Sequence, residues 1–277
     1  MIMGSLPSES SLLAEDYRPG DTTITLLYPK KTLNAGAIIC AGLNTFQVMQ
    51  ADSAGQTLNV YAKADGGPDL PLSQSTLVQI KPRYTDWSIF REINGEIVTM
   101  SAPSSGLYAV ASFTTQPDWI NGTYTLPTGW PAPQKLLRVR YQQIGRDSFQ
   151  AVRNAEWQPE SQQIRIYGSQ PGASQVEFTF AFPFSTTDSL STDVTTLGLS
   201  TFTQDIPGLG AASNLLRATE GRRQQVFSQG DPRRPDEISP GANIGLSREF
   251  ARIQDERMQQ EASRLLAQYG YRMSMGV

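Results

Sequence analysis

Three acidic residues stand directly before a tryptophan: Asp86-Trp87, Asp118-Trp119 and Glu156-Trp157. Sugar-binding clefts use an aromatic platform beside a carboxylate, and two carboxylates about 5–9 Å apart can hydrolyse a glycoside. Strand alternation alone also gives such pairs, because it turns the acid to water when it turns the tryptophan to the core. No shared motif surrounds the three pairs, so alternation is the expectation. A carbohydrate-binding or glycoside-cleaving protein is a competing reading. The chain has no histidine. That removes the commonest general base, the commonest metal ligand and every Ser–His or Cys–His arrangement. Any catalysis would fall to carboxylates, lysine or tyrosine. No catalytic set emerges, and the expectation is a protein that is not an enzyme.

Other chemistry-bearing stretches are equally spare. The single cysteine, Cys40, lies within apolar "AIICAGL" and predicts a buried, inert thiol that has no internal disulfide partner. "NGT" at Asn121 matches a glycosylation sequon, which means little without a secretory leader. "IPGLGAAS" enters a helical pattern and could face phosphate, but no lysine follows in Walker spacing, so it reads as a helix start. "DGGPDLP" lacks the alternating acids of a calcium loop. The reading therefore carries no cofactor and no metal.

Net charge is −3, which argues against holding nucleic acid by bulk electrostatics. The charges are unevenly spread. All five lysines lie at or before Lys135, and ten arginines lie at or after Arg217 among interleaved acids. Mixed charge of this kind favours ion-paired helices and subunit contacts. The start of the chain lacks a basic region followed by an apolar run, and no apolar stretch approaches the ~18 residues of a membrane span. The expectation is a cytosolic product with no membrane partner.

The positioning elements divide by period. Residues 1–20 read as a polar, extended arm, either free or docked on a neighbour. Residues 21–134 read as a β-rich domain, with alternation in "TTITLLY", "NTFQVMQ", "QTLNVYAK" and "STLVQIKPRY". Trp87–Ile93 fits a short helix or irregular segment followed by a turn at Asn94-Gly95. Residues 135–185 form a small antiparallel β-domain. Leu137, Val139 and Tyr141 share one face of its first strand, and Val176, Phe178, Phe180 and Phe182 share one face of its last, leaving the reverse face wet. Residues 186–206 form a polar connector. Residues 207–277 are helical. Ala211, Ala212, Leu215, Leu216, Val226 and Phe227 make one amphipathic arc, and Gly230 and Pro232 stop that helix. The fold class is α+β: a β-rich body of antiparallel, sandwich-like sheets followed by a C-terminal helical hairpin.

The last helix carries two apolar stripes. Ala251, Met258, Ala262, Leu265 and Tyr269 form one, and Leu246, Phe250 and Ile253 the other. One can pack on the preceding helix. The other needs a second surface, which is either the β-rich body or a neighbouring subunit.

Two stretches then carry a resemblance. "LLRVRYQQIGRDSFQAVRNAEWQPESQQIRIYGSQPGASQVEFTFAFPF" resembles a β-domain of tailed-bacteriophage structural proteins, in which an L-x-V-R-Y strand leads to a Trp-bearing segment and a phenylalanine-rich strand. The chain after it resembles the tail that follows that domain, with Gly210–Ala212, Leu215–Leu216, Glu220–Arg223, Pro232–Arg234, Pro240–Ala242 and Arg257–Leu265 falling on its motifs. The resemblance covers about the last half of the chain, and its motifs are structural rather than chemical. It implies a virion protein of the phage neck, a head-to-tail adaptor or connector assembled in the host cytoplasm. Its partners would be further copies of itself in a ring, expected as a dodecamer, the portal protein, and a downstream neck or tail protein. Packaged DNA would only pass through. Phe250, Ile253, Met258, Leu265 and Tyr269 would dock on a neighbour or on the portal. Arg217, Arg222, Arg223, Arg233, Arg234 and Arg248 would make intersubunit ion pairs. A proximal tail, tail-tube or baseplate component is the alternative station.

Overall fold

The computed structural model describes residues 10–118, 120–168, 173–189, 191–228 and 241–270, with backbone alone for 221–228 and 242. The chain divides into two units. The first takes Met1–Gly95, Thr187–Thr192 and Gly210–Phe250, and the second Glu96–Thr186, Asp193–Leu209 and Ala251–Val277. Antiparallel sheets followed by a C-terminal pair of helices make up an α+β, β-rich body with a helical hairpin.

The first unit holds strands β1 (Ser10–Leu12), β2 (Thr23–Thr25), β3 (Ile38–Ala41), β4 (Asn44–Ala51), β5 (Thr57–Ala62) and β6 (Leu77–Ile80). They form one sheet in the order β1-β6-β3-β4-β5-β2, with every pair antiparallel. Its two outer strands meet. Leu13 bridges Leu26, the Ala14 N–H donates to the Thr25 carbonyl at 2.9 Å, and the Leu27 N–H donates to the Leu12 carbonyl at 2.8 Å. The sheet thus closes into a six-stranded barrel, which leaves no open edge. Alternate residues fill it: Leu13, Ile24, Leu26, Ile39, Phe46, Val48, Leu58, Val60, Val78 and Ile80 are buried together.

The arm expected over residues 1–20 is corrected from Ser10 onward. Ser10–Leu12 pairs with β6, and Tyr17 is buried, bridges Leu72 and donates to Asp69 Oδ1 at 2.8 Å. Leu13 and Tyr17 bring enough apolar surface to order the segment against the barrel core. Residues 1–9 of that arm lie outside the described residues.

Helix α1 (Asp86–Met100) runs straight through Asn94 and Gly95, where a turn was expected. Thr85 starts it: its hydroxyl accepts from the Ser88 N–H at 3.0 Å, an N-cap. The Asn94 side chain donates to the Thr187 carbonyl at 2.9 Å and accepts from the Thr187 N–H at 3.1 Å. Ile97 and Met100 are buried on the next turn. Burial and a two-way side-chain lock outweigh the roughly 1 kcal/mol that one helical glycine costs.

The second unit contains β7 (Ala109–Thr115), β8 (Thr123–Thr125), β9 (Lys135–Gln143), β10 (Phe149–Ala151), β11 (Ala155–Gln158), β12 (Gln163–Ile166) and β13 (Ala173–Phe182). Four of them make a sheet in the order β10-β9-β13-β7, and three make a sheet in the order β11-β12-β8. Tyr124, Ile164 and Ile166 of the smaller sheet share a core with Val139, Val176, Phe178, Phe180 and Phe182 of the larger. Aromatic rings knit it: Tyr124 lies 4.9 Å from Phe178, and Trp157 stands edge-on to Phe180 at 5.3 Å. The expectation of a wet reverse face on the larger sheet is corrected at β13, where Thr179 and Ala181 are also buried.

Helix α2 (Ile206–Ser228) and helix α3 (Ala242–Tyr269) complete the chain. Ala211, Ala212 and Leu215 are buried as the arc predicted, and Leu216 is half-buried. The side chains of Val226 and Phe227, and the stop at Gly230 and Pro232, lie outside the described residues.

Candidate functional site

Asn243, Ser247, Glu261 and Leu265 mark the buried side of α3, and three of the four are polar. At about 100° per residue all four fall within roughly 40° of one another, so they share one face of the helix. Hydrogen bonds make that buried face affordable. In the first unit the Ser213 hydroxyl donates to the Ser247 carbonyl, and the Ser247 hydroxyl donates to the Ser213 carbonyl, each at 2.9 Å. Small side chains exchanging bonds in this way bring α2 and α3 into close register. About two turns further along α2, buried Glu220 accepts from the Gly241 N–H at 3.0 Å and from Asn243 Nδ2 at 3.1 Å. A carboxylate at the first turn of α3 also meets the positive end of that helix's dipole.

In the second unit the later half of α3 is fixed by charge. Glu261 is buried and pairs with Arg264 at 2.6 Å, which holds the guanidinium's proton more tightly than usual. The Arg264 guanidinium also lies 4.9 Å from the centre of the Phe202 ring. Arg257 reaches Asp205 at 3.1 Å and the Phe202 carbonyl at 3.3 Å. Gln254 donates to Glu96 at 2.6 Å. Arg138 of β9 stands over Tyr269 at 5.4 Å. Neither the serine pair nor the Glu220 contact was read from the sequence. The in-phase Asn243 and Ser247 were a usable signal, since two small polar residues interrupted the expected apolar pattern.

The residues expected to make assembly contacts separate into three groups. Leu265 is 3 % exposed, so the chain itself already covers it. Phe250, Ile253, Met258 and Tyr269 are half-buried. Arg217 and Arg248 are exposed. The side chains of Arg222 and Arg223, and all of Arg233 and Arg234, lie outside the described residues. The two α3 stripes fare differently. The stripes differ at one residue each: Leu265 is buried, Leu246 is 53 % exposed, and the remaining members of both are half-buried.

No family model matches the chain, and no curated protein matches it.

The acid–tryptophan pairs have structural partners. Asp86 sits in the first turn of α1 against Gln79, and burial pushes its carboxyl up. Trp87 stacks on Phe90 at 5.9 Å. Asp118 Oδ1 accepts from the Ile120 and Asn121 N–H groups, each at 3.0 Å, and Oδ2 accepts from Asn121 Nδ2 at 3.0 Å. Those donors hold its carboxyl below the ordinary range, the wrong direction for a general acid. Trp119 lies outside the described residues. Glu156 accepts from the Tyr167 hydroxyl at 2.9 Å, while Trp157 leans on Phe180 with its Nε1 sealed from water. Asp118 and Tyr167 line one open polar cavity of about 240 Å³ together with Asn121 and Arg165. Cys40 is buried, as expected, and its thiol is pushed up to about 11, chiefly by desolvation. Among the described residues no cluster of three or more metal-binding side chains occurs, and no helix is long and apolar enough to cross a membrane.

Proposed function

We propose that this chain is a non-enzymatic structural protein of a tailed-phage neck, a head-to-tail adaptor that forms a ring between the portal protein and the next neck or tail protein. The observation that carries the proposal is an exposed leucine continued by two partly exposed apolar residues on one face of α3. Leu246 is 53 % exposed, with half-buried Phe250 and Ile253 beside it on the same helix face. Exposed Arg248 lies next to that stripe in sequence, and Arg217 is exposed on α2. An apolar strip rimmed by arginine suits a subunit contact, in which the apolar part supplies burial and the charges set register. Repeated around a ring, such a contact gives twelve copies in the arrangement the motif resemblance implies. A net charge of −3 suits a channel that DNA traverses without being held.

The test is direct imaging. Virions carrying this chain are labelled with antibody against it and averaged at the neck. Label concentrated between head and tail, with twelve-fold symmetry, supports the reading. Six-fold symmetry moves the chain to the tail tube or baseplate. Absence of label from the particle ends the proposal.

A further inference from the structure

Of the sheet edges in the second unit, β7 is the longest and the least guarded. It runs seven residues, Ala109–Thr115, at one end of the four-stranded sheet. Its pairing with β13 proceeds from Thr115 to Ala109 without a bulge, whereas the β13–β9 ladder has two register shifts. The other edges, β10, β11 and β8, are three or four residues long. Proteins protect such edges with charges, prolines or bulges, and "AVASFTT" has none of them. Among the described residues, no backbone group pairs with the outer side of β7.

A second feature adjoins this edge. Ala109, Val110 and Ala111 form one wall of a cavity of about 290 Å³, whose other walls include Trp130, Phe182 and Leu197. No charged side chain lines it. An open edge supplies backbone donors and acceptors to an added strand, and a cavity beside the edge selects one of that strand's alternate side chains. Together they describe a site for an extended, uncharged peptide that presents a bulky apolar side chain.

We infer that β7 receives residues Met1–Ser8 of a second copy of this chain. Charge and length pick that segment. Three stretches of seven or more residues lie outside the described residues. Residues 229–240 carry five charged side chains, and in residues 271–277 the run after Arg272 is five residues, whereas "MIMGSLPS", ahead of Glu9, is an eight-residue run without a charged side chain and supplies Met1, Ile2, Met3 and Leu6. Eight residues at ~3.3 Å each span the length of β7. Donation from each copy to the next is a head-to-tail contact, the kind that closes a ring. The inference therefore rests on the ring reading and names one of its joints.

Cysteine trapping tests it in the full-length chain, whose own Cys40 is buried. Met3→Cys or Leu6→Cys is combined with Val110→Cys or Thr114→Cys under mild oxidation, because adjacent strands bring Cα atoms within disulfide reach. The expected result is a ladder of covalent multimers from at least one pair and none from single-cysteine controls. In parallel, a labelled peptide of residues 1–9 is titrated against the chain and against Val110→Lys/Thr114→Lys. The lysines should weaken binding roughly tenfold or more. If the chain assembles but no pair cross-links, and the lysines change neither peptide binding nor assembly, this inference is overturned and the ring stands. If the chain is monomeric, the ring reading fails, and the second-copy donor falls with it even where the peptide still binds.

Discussion

Glu220 Oε2 and Asn243 Nδ2 meet at 3.1 Å across 23 residues of chain, with both side chains buried. The other carboxylate oxygen takes the Gly241 N–H at 3.0 Å. One side chain on α2 therefore fixes the point at which α3 begins.

Removing that carboxylate leaves a buried donor on Asn243 and a half-buried one on Gly241 without this acceptor. Glu220→Ala should lower stability by about 2–3 kcal/mol. Glu220→Gln, which keeps a carbonyl for Gly241, should lose less. Denaturant midpoints followed by far-ultraviolet circular dichroism check this ordering. Equal midpoints for the wild type and Glu220→Ala would mean that the α2–α3 joint is held elsewhere.

Leu265 and Leu246 should separate folding from assembly. Leu265→Ala empties a covered position and should cost about 2–5 kcal/mol. Leu246→Ala should change stability of the lone chain by less than about 0.5 kcal/mol while weakening self-association. Thermal melts at low concentration and sedimentation at high concentration read the two effects. A Leu246 variant that assembles normally would remove this face of α3 from the contact.

Cys40 should resist thiol reagents in the folded chain. With its pKa raised to about 11, the thiol is protonated at pH 8 apart from roughly one part in a thousand, and it is buried as well. Ellman's reagent should report no fast thiol in buffer and one per chain in denaturant. Rapid labelling of the native protein would show the barrel opening on the minute scale.

Acid should destabilise the fold through Asp118 and Asp193. Backbone N–H groups, of Asn121 for the first and Thr195 for the second, lower both carboxyl pKa values. Their contribution is present above the ordinary carboxyl range and is lost as pH falls through the depressed values. Asp86 has the opposite sign, because burial raises it and the fold gains from its protonation as pH falls. Asp118→Asn should therefore flatten the acid side of the stability curve, and Asp86→Asn should steepen it. Melting temperatures from pH 2 to pH 7 give the comparison. Parallel curves for all three proteins would contradict the assignments.

Period-two patterning made the strands of the second unit legible. Leu137 and Val139, and Val176 through Phe182, alternate over long runs, and the structure buries them as the pattern requires. Barrel closure was not legible, because it depends on Leu13 meeting Leu26 across two short segments whose own patterns are weak. Helix α1 was half-seen: Asn94-Gly95 is a strong local turn signal, and burial of Ile97 and Met100 together with the lock to Thr187, far along the chain, overrides it. Glu220 and Glu261 escaped for a different reason. An acidic residue in a helix reads as a solvent face unless its buried partners are known. The open edge of β7 was equally hidden, since sequence shows a strand but not which strands remain at a sheet's rim.

Native mass spectrometry of the purified full-length protein tests the central claim most directly. The account predicts one closed multimer, twelve chains of 30.4 kDa by the resemblance, that falls apart when Leu246 is changed to Glu. A single 30.4 kDa species persisting to about 100 µM, where even weak subunit contacts assemble, would contradict it.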